Sequence, residues 1–430
     1  MTVKWEKTQT NVGVLEVEVP SDRFAEALDV AFKKVVKRVV VPGFRKGKVP
    51  RKLFEARFGV EALYQDAVEY LLPRAYADAV QETGIEPVAQ PDIDVVQVEA
   101  GKPFVFKATV TVKPEVELGQ YKGLEIQDKP FEADEAAVQE ELENIRKLHA
   151  EINPVEDGEV QEGDTVGIDF FGTIDGEPFE GGEGENFQLE IGSGTFIQGF
   201  EEQIIGMKPG EEREIEVTFP ENYHIKSLAG KQAKFKIKLH DIKRKFLREV
   251  NDEFVQEISD FQTVDEFMED LRKQVAARKE AEHRQYLEEQ AVEAAVAQAK
   301  VEIPQVMIDH EAEHLLSHFA QQLAMQQIPL EAYLEFSGMT REELRDQFRD
   351  TAEKNVRTSL VLEAIAKAEG LTVSDEEIEA ELSRIAEAAG LPLERVRELY
   401  QLRDPGFAGM RSELQTRKTV AFLVENSKVA

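Results

Sequence analysis

Apolar and acidic residues alternate over residues 14–19 (VLEVEV), the period-two pattern of a half-buried strand. From residue 21 the period changes. Phe24, Leu28, Ala31, Val35 and Val39 recur at helical spacing, Ser21 supplies an N-cap, and Pro42-Gly43 stops the helix. A second helical stretch begins near Pro50, and a third runs from about Val60 to Thr83 and ends at Gly84. Two strands follow, at 93–98 and 104–112, the second with Phe104, Phe106, Ala108, Val110 and Val112 on one face. Strand, helices and closing hairpin predict a compact α+β domain over 1–112.

Residues 113–150 hold a Pro/Gly-punctuated stretch and then a polar helix, ADEAAVQEELENIRKLHA, which reads as a connector. From 151 to 245 the texture becomes short strands with many glycines. Ile215, Val217 and Phe219 alternate with polar residues, and Phe235, Ile237 and Leu239 alternate with Lys234, Lys236 and Lys238. That predicts an antiparallel sheet domain with one short helical passage. Residues 246–430 read as almost entirely helical. Capping boxes open helices at Thr263/Glu266, Thr340/Glu343 and Ser374/Glu377, and Pro304, Pro329 and Pro392 punctuate the rest. The fold class is therefore multidomain α+β: an α+β N-terminal domain, a sheet domain and an all-helical C-terminal domain.

Composition narrows the chemistry. The chain has 430 residues and no cysteine, which removes disulfides, thiolate catalysis and cysteine-based zinc sites and suits a reducing compartment. No run approaches the length of a membrane span, and MTVKWEKTQTNVG lacks the apolar core of a secretory signal, so a cytoplasmic protein without membrane contact is expected. The net charge of −33 repels nucleic acid and anionic membranes. One stretch reverses it. Lys33, Lys34, Lys37, Arg38, Arg45, Lys46, Lys48, Arg51, Lys52 and Arg57 face a single acid, Glu55.

Within that stretch, Gly43-Phe44-Arg45-Lys46-Gly47-Lys48-Val49-Pro50 predicts a tight exposed loop, with glycines and prolines setting the turn. Arg45 and Lys46 suit phosphates, and Phe44 suits an apolar crevice or stacking. In the sheet domain the order Gly192-x-Gly194-x-Phe196-Ile197-x-Gly199-Phe200-Glu201 follows Asp169-Phe170-Phe171-Gly172 and Phe179-Glu180-Gly181-Gly182. Phe219-Pro220-Glu221-Asn222-Tyr223 comes after it. A packed core requires no such order.

These strings resemble an FKBP-type peptidyl-prolyl isomerase domain over 151–245. With GFRKGKVP and the domain order, the chain is similar from end to end to the ribosome-associated chaperone family of bacterial trigger factors. The resemblance implies an isomerase pocket of Phe170, Phe179, Phe187, Phe200 and Phe235, with Phe196 and Ile197 as the wall whose amide meets a substrate carbonyl, and Tyr223 from a late loop. Phe170, Phe200 and Glu180 stand where relatives carry Tyr, Trp and Asp. Gly43, Phe44, Arg45, Lys46, Gly47 and Pro50 are implied as the ribosome-binding loop. The implied partners are the large ribosomal subunit near the nascent-chain exit, through an exit-site ribosomal protein and rRNA, nascent and unfolded polypeptides, and a second copy of the chain in a homodimer off the ribosome. The connector is implied to pack with the C-terminal domain, whose exposed apolar residues are implied to hold clients; Met307, Leu315, Phe319, Leu323, Met325, Leu334 and Phe336 are candidates. The alternative is a stand-alone isomerase with helical interaction arms and no ribosome docking. No cofactor or metal is expected, since His310-Glu311-Ala312-Glu313-His314, although it fits H-E-x-x-H with His318 beyond, lies in a Glu-rich helix without protease context.

Overall fold

The computed structural model of the chain describes residues 1–42, 44–221 and 228–429. They form two compact units, Met1–Asp128 with Gln285–Ala430, and Lys129–Arg284.

The chain opens with β1 (Thr2–Gln9) and β2 (Val12–Val19), followed by α1 (Ser21–Val35), α2 (Arg51–Phe58), α3 (Tyr64–Thr83), β3 (Asp92–Gln97) and β4 (Phe104–Thr111). The strands make an antiparallel sheet in the order β1-β2-β4-β3. Leu15, Val17, Val19, Phe104, Phe106, Ala108 and Val110 point into a core closed by Phe24, Leu28, Phe54 and Leu63. The sequence pattern misses β1, because an edge strand reading TVKWEKTQ buries little of its surface. It also misassigns two helix ends. Pro20 holds the cap position before α1, so Ser21 is the first helical residue and makes no cap bond. The helix stops at Val35, not Val39, because Val36 and Val41 are drawn into the core and the chain turns between them.

The connector region holds β5 (Glu125–Ile126) and α4 (Glu135–Leu148). Leu124 and Ile126 pack with the C-terminal helices, whereas Val138 and Leu142 of α4 pack in the second unit. That unit contains β6 (Glu151–Pro154), β7 (Thr165–Ile174), β8 (Glu177–Glu190), α5 (Phe200–Ile204), β9 (Glu212–Thr218) and β10 (Gln232–Phe246). All its strand pairs are antiparallel, and β10 is the hub, bonded to β6, β7 and β9. Asp164, 1% exposed, ties the ends of the sheet together: it takes two 2.7 Å bonds from the Arg244 guanidinium and one from Gln161 N–H. Burial would raise the Asp164 carboxyl, but these donors hold it below its ordinary value.

Helices complete the chain: α6 (Asp252–Ile258), α7 (Val264–Gln298), α8 (Gln305–Met325), α9 (Leu330–Ser337), α10 (Arg341–Gln347), α11 (Arg349–Glu369), α12 (Asp375–Ala389), α13 (Leu393–Arg403) and α14 (Ala408–Glu425). The boxes at Thr340 and Ser374 are complete. The third is half-formed: Thr263 accepts from Glu266 N–H, while the Glu266 carboxylate takes the N–H of Gln262 rather than that of Thr263. Pro304, Pro329 and Pro392 each sit immediately before a helix, where the missing N–H costs nothing. A final two-residue strand, β11 (Lys428–Val429), pairs in parallel with β5, a contact between distant segments that no local pattern announces.

Candidate functional site

On the sheet of the second unit lies a cavity of about 730 Å³. Phe170, Phe179, Phe187, Phe196, Ile197 and Phe235, which the resemblance assigns to one pocket, line it together with Phe219, Pro220 and Leu228. Sequence reasoning left these last three out of the pocket. For Phe219 and Pro220 the signal was the apolar-proline step just beyond β9; Leu228 carried no such signal.

The rings meet mostly edge to face. Phe170 stands at 89° to Phe196 with centroids 5.2 Å apart, and Phe179 at 90° to Phe235 at 5.9 Å. That geometry sets ring edges against ring faces and holds the wall stiff. Gly172 and Gly184 make room for it, since a Cβ on either would come within 2.5–2.6 Å of the Phe235 or Phe170 ring. Phe200 is placed differently from its neighbours. It is fully buried, stacked behind Phe196 at 4.3 Å and edge-on to Phe235 at 5.2 Å, so it backs the wall. Tyr223 lies outside the described residues.

The segment joining β8 to α5 is organised by one carboxylate. Glu201, 8% exposed, accepts from the amides of Gly192 (2.7 Å), Gly194 (3.2 Å) and Phe196 (3.1 Å) and from the Ser193 hydroxyl (3.4 Å). Burial alone would raise the Glu201 carboxyl; the three amides and the hydroxyl outweigh it and hold the group below its ordinary value. With Phe196 N–H thus occupied, Ile197 N–H has no protein acceptor among the described residues. Among the described lining residues none carries an ionisable side chain. Such a lining can bind and desolvate, and among the described residues it presents no acid or base for proton transfer.

The basic loop belongs to the other unit. Phe44 is 41% exposed, and Arg45, Lys46 and Lys48 are exposed beside it. Phe44 N–H bonds to the Val41 carbonyl and Lys48 N–H to that of Arg45, while buried Val41 and Val49 anchor both ends. Gly47 sits at φ +79°, where a side chain would be strained, and Pro50 occupies the cap position of α2. Gly43 lies outside the described residues.

The H-E-x-x-H residues stay apart from both places. His310, His314 and His318 are exposed on α8, and Glu311 is bonded by Asn355 Nδ2 at 2.9 Å. Among the described residues no group of three or more His, Asp or Glu is arranged to hold a metal ion. Nor, among them, is any helix long and apolar enough to cross a membrane. Of the client-contact candidates, Met325 and Phe336 are 86% and 91% exposed, whereas Leu323 is buried.

Residues 156–240 match the model of the FKBP-type peptidyl-prolyl cis-trans isomerase family, with the ring-lined cavity inside the match. Residues 1–145 and 263–425 match the models of bacterial trigger factor protein and of its C-terminus. Fold and site together define a molecular chaperone that carries its own prolyl isomerase. Trigger factors of Geobacillus kaustophilus and Brevibacillus brevis are 53% and 51% identical to this chain, each over the full length of both proteins. The chain belongs to the trigger factor family. It is a ribosome-associated chaperone that catalyses cis–trans isomerisation of X–Pro bonds. A solved structure of the trigger factor chaperone, described for promiscuous substrate recognition in folding and assembly, shares the fold, with a TM-score of 0.51 at 23% identity over 99% of each chain.

Proposed function

We propose that isomerisation takes place in the ring-lined cavity and that the loop at 44–50 carries the docking contact. The observation behind the first assignment is the pairing of an apolar wall with a backbone donor, Ile197 N–H, that has no protein acceptor among the described residues. Rotation about an X–Pro bond faces roughly 20 kcal/mol because the planar amide is resonance-stabilised. The twisted state loses that resonance and its charge separation, so a water-poor aromatic site favours it over the planar ground state. Ile197 N–H orients the substrate by receiving the carbonyl before the prolyl bond. About 2.7 kcal/mol of differential binding already yields a hundredfold acceleration. Phe170, Phe179, Phe187, Phe196 and Phe235 supply the wall and Phe200 its backing, and Tyr223, outside the described residues, is assigned to the site with them.

For docking, Phe44 enters an apolar crevice of an exit-site ribosomal protein while Arg45 and Lys46 meet rRNA phosphates on the large subunit, close to the nascent-chain exit. Gly47 and Pro50 set the loop, and Gly43, outside the described residues, is assigned to the docking site with them. Nascent and unfolded polypeptides are the clients, held by exposed apolar residues such as Met325 and Phe336; free of the ribosome the chain forms a homodimer. Residues 1–112 act as the docking domain, 113–150 as connector, 151–245 as isomerase and 246–430 as client-binding domain, all in the cytoplasm. The experiment is ribosome pelleting across a salt series. Changing Phe44, Arg45 and Lys46 together to Ala is expected to abolish stable binding and leave peptide isomerisation intact. Wild-type pelleting by that variant overturns the docking assignment.

A further inference from the structure

We propose that the RNA-facing surface of the N-terminal domain extends beyond the loop onto the end of α1, through Lys33, onto the turn that follows it, through Lys37 and Arg38, and onto α2, through Lys52 and Arg57. Lys34 and Arg51, in the same basic stretch, take no part. This rests on the docking reading above and gives it a footprint.

The ten basic residues between 33 and 57 are equivalent in sequence and unequal in the fold. Lys34 Nζ lies 2.6 Å from Asp66 and 3.6 Å from Glu69 on α3, and its hydrogen bond to Asp66 raises its pKa. Arg51 is held between Asp29 of α1 and Glu55, the latter at 2.6 Å. These two cations are struts that join α1, α2 and α3, with their charge already matched by carboxylates. Lys33, Lys37, Arg38, Lys52 and Arg57 are exposed and make no ion pair among the described residues. Glu55 is the one acid in the stretch, and Arg51 engages it.

One placement joins these cations to the loop, and two more set exposed apolar groups among them. A side chain on Gly47 would begin 3.8–3.9 Å from Lys37, so the turn that follows α1 flanks the loop directly. The Arg57 guanidinium lies 6.0 Å from the Phe58 ring centroid, and Phe58 is itself 41% exposed. Leu53 on α2 and Val40 before the loop are also exposed, at 51% and 73%. A solvated helix face in so acidic a chain would intersperse acids among its lysines. Here unpaired cations alternate with exposed apolar groups, the mixture that neutralises a phosphate backbone and covers sugars and bases.

Salt-dependent pelleting of the full chain with ribosomes tests the footprint. Lys33→Gln with Lys37→Gln and Arg38→Gln, the loop untouched, is expected to flatten the log–log salt slope by about two to three units and to weaken binding at least ~10-fold near 0.1 M salt. Lys52→Gln with Arg57→Gln should flatten it by about one to two units. Lys34→Gln removes a unit of charge as well, yet should keep the wild-type slope, which separates contact from bulk charge. Circular dichroism checks that each variant keeps its helices. If the triple variant shows the wild-type slope while the loop variant loses binding, the loop is the whole footprint and the proposal fails, though docking through the loop stands. If the loop variant also pellets normally, the docking reading falls with it. Protein-free ribosomal RNA provides the last arm: a slope change seen on ribosomes but absent on the RNA assigns the surface to an acidic protein and overturns the proposal.

Discussion

At the scale of single residues, Phe179 and Phe200 look interchangeable in sequence, and the fold gives them different work. Phe200 has no exposed surface and touches several rings, so Phe200→Ala is expected to cost about 3–5 kcal/mol and to lower the melting temperature of the isomerase unit. Phe179 lies on the cavity wall and is partly exposed. Phe179→Ala should keep the circular dichroism of the wild type and cut isomerisation of a short X–Pro peptide at least ~10-fold, worth about 1.4 kcal/mol. Unchanged turnover in a folded Phe179→Ala protein would remove that wall from the mechanism. Glu201 is a second residue-scale case. Glu201→Gln turns one acceptor into an NH₂ group facing backbone donors, a loss of about 1–3 kcal/mol. Its carboxyl titrates below the ordinary value, so its contribution is present above about pH 4.5 and disappears as pH falls through the folded pKa. Hydrogen exchange at the Gly192, Gly194 and Phe196 amides should accelerate in the variant; wild-type protection there would show that the loop holds itself.

Elements were legible where their own periodicity decided them. Alternation in β2, β4, β9 and β10 predicts the buried faces that the sheets show, since inward positions recur every second residue whatever the partner strand. The joins between elements were not legible. Glu381 of α12, 13% exposed on its side chain, is gripped by Arg384 one turn on and by Arg417 of α14 at 3.0 Å. The Arg384 fork holds its carboxyl at about 2, with Arg417 reinforcing it against the opposing effect of burial. A depressed carboxyl stabilises the fold above its unfolded value near 4.5 and stops doing so as pH falls toward about 2. Glu381→Gln should therefore melt below the wild type at neutral pH, with the gap closing between about pH 4.5 and 2. A gap independent of pH would mean that packing, not charge, joins these helices.

For the whole molecule, the ring-lined cavity and the basic loop belong to different compact units, and their chemistry is as separate as their residues. The exposed imidazoles of α8 lie in neither. His310→Ala with His314→Ala is expected to leave ribosome pelleting, peptide isomerisation and suppression of aggregation at wild-type levels. Stoichiometric zinc lost together with one of those activities would refute this.

What the sequence determined by itself is what neighbouring residues decide among themselves: the alternation of the strands, the helical spacing, the glycine and proline turns, the order of domains, and the two strings of residues that carry the family resemblance. These follow from backbone sterics and local periodicity. Tertiary structure decided what depends on residues far apart in the chain. It placed Phe219 and Leu228 in the cavity wall and Phe200 behind it, and it paired β11 with β5. It also paired Lys34 with Asp66 while leaving Lys33 without an ion pair among the described residues. Burial and charge pairing are sums over spatial neighbours, and those neighbours exist only once the chain has folded.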